Sequence, residues 1–287
     1  MDLNTVTEFA AATGTTWRDG DAWLGGGTFL FSQPQPGVTR LLDLDAFGWT
    51  PIAAAADGIA IAATCTFAEL ARWQPPHAAH APFALLARQC CHALLGSFKV
   101  HNVATVGGNI CLSLPAGPMT SLAASLDAVA TLAAPGGGTR RVPVAEFVTG
   151  DGVNTLAPGE LLTHVDVAAP ALAARSAFRQ VSLSPVGRSA VLVIARLDGG
   201  PADDADAPPP ERPGGAVVIT VTAASPRPVQ LRFPGLPTAG QALSALDAAA
   251  PTYLDDIHGG ASWRAAMTRR CLVEVIAELA GDQGPAR

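Results

Sequence analysis

The chain has 287 residues, 49% of them apolar but only 6% aromatic, with 29 glycines and 24 prolines. That length buries a substantial core without covalent staples, and the Gly and Pro content describes a loop-rich globular protein rather than a coiled coil. Eighteen basic against 24 acidic residues leave a net charge of −6, which provides no electrostatic footprint for nucleic acid.

The opening MDLNTVTEF lacks a basic segment followed by an apolar one. No later stretch approaches the roughly 18 uninterrupted apolar residues of a membrane span, so the expectation is a cytoplasmic protein. NTVTEFAAA (residues 4–12) reads as a short helix, WLGGGTFLF (23–31) as a strand broken by three glycines, and TRLLDL as a second short strand. IAAAADGIAIAATCT places two strands around the turn signal Asp57-Gly58 and leads into the helix FAELARW. ALLARQCCHALL (84–95) is a longer apolar helix that ends near Gly96. SFKVHNVATVGGNICLSLPAGP reads as loop, and Met119 to Leu126 as helix.

TLAAPGGGTRRVPV is a hairpin with PGGG as its turn, GELLTHVDV is a strand, and FRQVSL, AVLVIARL and AVVITVTAAS are three more. Between the last two lies DGGPADDADAPPPERPGG, whose composition is that of a surface loop and whose Asp203, Asp204 and Asp206 read as solvated charge. From Ser262 to Leu279 a helix places Met267, Leu272, Val275, Ile276 and Leu279 on one face. A domain boundary is expected within residues 168–175.

The five cysteines, Cys65, Cys90, Cys91, Cys111 and Cys271, form no CxxC or other ligand spacing, so reduced thiols are expected and no iron–sulfur cluster is held by this chain. Cys90 and Cys91 point in different directions from one helix and read as core residues. His77 and His80 sit three apart with no third ligand, and His92 and His164 read as structural. No Ser/His/Asp or Cys/His arrangement is legible.

Two clusters of small residues interrupt apolar stretches: Gly25-Gly26-Gly27-Thr28, and Thr105-Val106-Gly107-Gly108-Asn109. Neither is a P-loop or a GxGxxG fingerprint. Both fit two readings: tight turns, or bare backbone amides that approach an anion closely, with Thr28, Thr105 and Asn109 as added donors.

WLGGGTFL is similar to the AGGTDL-type loop, and FKVHNVATVGGNICLSLPAGPMTSLAASLDA to the RN-x-ATIGGN segment, of the FAD-binding subunits of molybdenum hydroxylases, the xanthine dehydrogenase and carbon monoxide dehydrogenase family. The likeness continues in order through RRVPVAEFVTG, PGELLTHVDV, AFRQVSLSPVGRSAVLVIARL and SWRAAMTRRCL. The resemblance implies an α+β fold of the vanillyl-alcohol-oxidase or PCMH type. Its FAD-binding domain would be residues 1–172, in subdomains of about 1–52 and 53–172, and a C-terminal domain of residues 173–287 would carry a three-stranded antiparallel sheet. It implies that both glycine loops wrap the FAD pyrophosphate, Leu24, Gly25, Gly26, Gly27 and Thr28 from the first and Thr105, Gly107, Gly108 and Asn109 from the second.

Leu162 would make a backbone contact near the flavin ring. Arg179 falls where relatives place a Lys beside the isoalloxazine, where positive charge stabilises reduced flavin; its other reading is a surface strand residue. No residue of this chain is implied as a catalytic acid or base or as a metal ligand. The implied partners are a large molybdopterin-binding subunit and a small subunit with [2Fe–2S] clusters, in a dimer of heterotrimers, electrons passing from the clusters through FAD to an external acceptor. The alternatives are a stand-alone FAD oxidoreductase and a scaffold subunit that has lost the flavin. Three departures stand out: Phe29 and Pro118 where relatives carry Asp, and His101-Asn102 for the usual Arg-Asn.

Overall fold

The computed structural model describes residues 5–55, 57–199 and 215–281; the acidic cluster Asp203, Asp204 and Asp206 lies outside them. Among the described residues three larger sheets follow one another along the chain, and a two-stranded one lies within the span of the second. The first contains β1 (Glu8–Ala11), β2 (Asp21–Leu24) and β3 (Arg40–Asp43), all parallel, with β3 in the centre. β1 lies where the sequence predicts a helix over residues 4–12. A lone helix of that length is marginal, and parallel pairing of Phe9 with Leu41 and Ala10 with Leu42 makes the strand the better-bonded choice. Arg40 stands opposite both Glu8 and Asp21. Its Nε and Nη2 donate to the two carboxylate oxygens of Asp21 at 2.7 and 2.6 Å.

The second sheet is antiparallel, in the order β4-β5-β10-β6-β7. Its strands are β4 (Ile52–Ala55), β5 (Gly58–Ala62), β6 (Val129–Ala133), β7 (Thr139–Pro143) and, after the small hairpin β8 (Val148–Gly150) and β9 (Val153–Asn154), β10 (Leu161–Ala168). The hairpin expected around Asp57-Gly58 joins β4 to β5, with Gly58 already in β5 and paired with Ala55, and the turn expected at 135–138 joins β6 to β7. Helices α1 (Phe67–Arg72), α2 (Ala81–His92), α3 (Phe98–His101), α4 (Val106–Leu112), α5 (Pro118–Ser125), α6 (Val144–Phe147) and α7 (Ala169–Ala173) belong to the same unit. Phe67, Phe83, Leu86, Ile110, Leu132 and Phe147 form its core, with Cys90 and Cys91 both buried there. The stretch 97–118, expected as loop, contains α3 and α4; in α4 the burial of Val106 and Ile110 stabilises turns too short to stand alone. The first sheet seats on this unit through Ala12, Leu42, Leu44 and Leu161, and through Trp23 Nε1, which donates to Glu160 O at 3.2 Å.

The third sheet has four antiparallel strands, β11 (Arg175–Val181), β12 (Val191–Leu197), β13 (Val217–Thr222) and β14 (Val229–Phe233), in chain order. That corrects the expected three: VQLRF, close behind the buried run of β13, completes the sheet. Leu192 and Ile194 face the core of the second unit, while Val191, Val193 and Ala195 face a separate core beneath α8 (Ala239–Ala249) and α9 (Ala261–Ala280). With both faces covered, AVLVIA (190–195) is continuously apolar instead of alternating. Leu272, Val275, Ile276 and Leu279 are the buried face of α9, as the spacing predicts. Buried Arg196 ties the third sheet to the end of α5, donating to Ser125 O at 2.9 Å and to Asp127 and Asp198 at 2.7 Å each. Among the described residues no helix is long and apolar enough to cross a membrane.

Candidate functional site

β2 ends at Leu24, so the glycines lie beyond the strand and do not interrupt it. After bends at Gly25 and Gly26, residues 28–32 form turns: Phe31 N donates to Gly27 O at 2.9 Å, and Ser32 donates both its N–H and its hydroxyl to Phe29 O, at 2.9 and 2.8 Å. Gly27 has φ +66°, a left-handed conformation that glycine adopts without strain. The amides of residues 25–30 donate to no acceptor among the described residues.

The second cluster is the start of α4. Thr105 caps the helix, its Oγ1 accepting from Gly108 N at 3.1 Å. Val106 N donates to Cys65 O at 2.8 Å, Gly107 N to Ala63 O at 2.9 Å and Asn109 N to Thr105 O at 3.0 Å. Ala63 is itself held by β10, its N–H donating to Thr163 O at 2.8 Å. Asn109 Oδ1 accepts from Met119 N at 3.0 Å and so caps the first turn of α5. The amides of residues 106–109 are therefore not bare: each is bonded within the fold.

The two loops meet. A Cβ on Gly26 would lie 1.5 Å from the carbonyl oxygen of Val103, and one on Gly25 would lie 3.0 Å from Thr105 Oγ1. Gly26 is thus required by the approach of one backbone to another, whatever ligand the site takes. A Cβ on Gly107 would lie 2.5 Å from that of Ala63, so that glycine serves helix-to-strand packing.

Together the loops line one cavity of ≈ 550 Å³, within the range of small-molecule and cofactor sites. Of the residues singled out in the sequence, Leu24, Gly25, Gly26, Gly27, Thr28, Thr105, Gly108 and Asn109 line it. Gly107 lies behind the wall. Leu162 is buried in the core of the second unit, paired with Leu132, and does not line the cavity. Arg179 does not line it either. Its Nε donates to Glu274 at 3.0 Å and its Nη1 to Glu278 at 2.6 Å, both on α9, and these carboxylates oppose the desolvation that burial imposes.

His101 packs, its ring 5.9 Å from that of Phe67 and its Nε2 3.4 Å from Leu94 O. Pro118 opens α5, where its missing N–H costs nothing.

Sequence reasoning missed other lining residues, among them Ser32, Gln35, Leu94, Val100 and Leu112. Proximity to the glycines signals Ser32; the others come from elsewhere in the chain and carry no motif. Cys111 also lines the cavity, and burial pushes its thiol up to about 12, leaving it protonated and unreactive near neutral pH. Among the described residues no charged side chain lines the cavity.

A family model described as the FAD binding domain in molybdopterin dehydrogenase matches residues 5–170. The nicotinate dehydrogenase FAD-subunit of Eubacterium barkeri is 31% identical over 115 residues, which cover 39% of this chain and 37% of that protein. Quinoline 2-oxidoreductase from Pseudomonas putida 86 has a chain of the same fold, with a TM-score of 0.77 and 20% identity over 98% of this chain and 99% of that one. Carbon monoxide dehydrogenase from Oligotropha carboxidovorans has another, with a TM-score of 0.75 and 18% identity over 96% and 98%.

Proposed function

We propose that this chain, which belongs to the family of FAD-binding domains of molybdopterin dehydrogenases, is the flavin-carrying electron-transfer subunit of a multi-subunit molybdenum hydroxylase. Substrate is oxidised at a molybdopterin centre on a large partner subunit. Electrons reach this chain from [2Fe–2S] clusters on a small partner subunit, and leave it for an external acceptor. The assembly is a cytoplasmic dimer of heterotrimers. The chain divides into an FAD-binding domain of residues 1–172 and a C-terminal domain of 173–287, each built of its own sheets.

The observation that carries this reading is the convergence of residues 25–28 with Thr105, Gly108 and Asn109, far apart in sequence, on one cavity. The residues present fit a dinucleotide. The amides of the first loop have no acceptor among the described residues and are suited to phosphate oxygens, with the Thr28 hydroxyl beside them. Leu24, Thr105, Gly108 and Asn109 complete the proposed contact set; Gly107 acts through packing. Leu94, Val100 and Leu112 exclude water from the ligand. Bound FAD supplies the redox chemistry, accepting electrons singly and releasing them as a pair. The chain supplies binding and orientation, and no side chain acts as an acid or base. Leu162 and Arg179, implied by the resemblance to lie near the flavin ring, stand outside the cavity wall, Leu162 in the core and Arg179 paired with Glu274 and Glu278, and are left out of the proposed contact set.

The test is purification of the complex from its native host. The expected result is a flavin absorbance spectrum, FAD released on denaturation, and co-elution with iron and molybdenum. A colourless chain that takes up no added FAD overturns the reading in favour of a scaffold. A flavoprotein that elutes alone overturns the complex.

A further inference from the structure

Resting on the FAD reading above, we propose that Phe29 is a stacking platform, its ring taking one face of a planar ring of the dinucleotide, adenine or isoalloxazine. Phe29 lines the cavity and is only partly buried. Among the described residues it joins none of the three hydrophobic clusters of the core and pairs with no other aromatic ring. Phe31, two residues on, also joins none of these clusters but does not line the cavity; its ring edge lies beside Gly27, 2.4 Å from where a Cβ there would be. The position of Phe29 is set by its backbone, since Ser32 donates twice to its carbonyl.

Much of the surrounding wall is apolar, with Leu30, Leu94, Val100, Leu112 and Leu114, and among the described residues none of the lining side chains is charged. Phosphates gain nothing from such a wall, because an anion set against it loses hydration without a partner. A flat, weakly polar ring gains apolar contact and a π-face. The cavity of ≈ 550 Å³ has room for a ring beside the phosphates held by the first loop. The division of labour is then internal to one turn: amides of residues 25–28 for the phosphates, the side chain of residue 29 for a ring.

The experiment compares wild type with Phe29→Ala, Phe29→Leu and Phe29→Tyr as full-length chains stripped of flavin. Circular dichroism verifies folding, and titration calorimetry measures FAD, FMN and ADP. The expected result is FAD affinity roughly 5- to 100-fold weaker in the Ala and Leu variants, the range of base–aromatic stacking, and close to wild type in the Tyr variant. Parallel loss of ADP affinity with FMN unchanged assigns the adenine; parallel loss of FMN affinity with ADP unchanged assigns the isoalloxazine; either supports the proposal. A Phe29→Leu protein that binds FAD as tightly as wild type overturns it and leaves the FAD reading standing, since leucine keeps apolar contact but has no π-face. Wild type that binds no FAD overturns both.

Discussion

In the first glycine loop the amides of residues 25–30 donate to no acceptor among the described residues, whereas in the second Val106, Gly107, Gly108 and Asn109 donate to Cys65, Ala63 and Thr105. The difference follows from what precedes each loop. The first leaves the end of a strand, where the ladder with β3 stops at Leu24. The second begins a helix, whose unbonded N–H groups the fold satisfies with a threonine cap and the carbonyls that follow β5. Two clusters of similar composition therefore do different work: one presents backbone donors, the other provides a rigid wall against which the first is braced.

Breaking the brace is expected to have the largest effect. In Gly26→Val the side chain enters the Val103 carbonyl, so the loops must separate, with a loss of about 4 kcal/mol in urea denaturation and no flavin bound. Retention of wild-type stability would mean that the loops do not meet as described. Next is Asp21→Asn at the root of the first loop. Asp21 is fully buried against Arg40, whose hydrogen bonds hold its carboxyl below the ordinary carboxylate range. Removing one partner of a buried pair costs about 3 kcal/mol at pH 7. The wild-type pair contributes in full above the ordinary carboxylate pKa and is lost as pH falls through the depressed value. Stability measured from pH 7 down to acid should accordingly converge with that of the variant, and parallel curves would sink the assignment.

Within the second loop, Gly107→Ala presses on Ala63 and should cost about 2 kcal/mol by overpacking. Thr105→Ala removes only the cap and should cost about 1 kcal/mol. Thermal denaturation that reverses this order would show that packing does not govern the second loop. The smallest effect is expected far from both loops, at Arg179→Gln. Its partly exposed pairs with Glu274 and Glu278 are worth less than about 1 kcal/mol, and flavin affinity should be unchanged by equilibrium titration. A clear loss of affinity would bring β11 into the binding site.

Much of the fold is legible where hydrophobic pattern and turn chemistry agree. The hairpins at Asp57-Gly58 and 135–138 and the amphipathic α9 carry their own signals, and the structure has them where they were expected. β1 is not legible, because NTVTEFAAA has no pattern of its own and becomes a strand only through pairing with β3. β14 and α8 are not legible either, their short segments being stabilised by the sheet and helix they complete. In the site, the glycine strings mark the loops by composition, while Leu94, Val100 and Leu112 enter the cavity from segments that nothing in the sequence links to it.

The sequence by itself determined that two small-residue loops exist and that their order along the chain is that of a flavin-binding family, because glycine runs inside apolar stretches are costly and specific. Only the tertiary structure decided which amides are spent within the fold, that Gly26 answers to Val103, and that Phe29 lines the cavity. Those facts depend on distances between segments some 80 residues apart, and packing, not local preference, sets such distances.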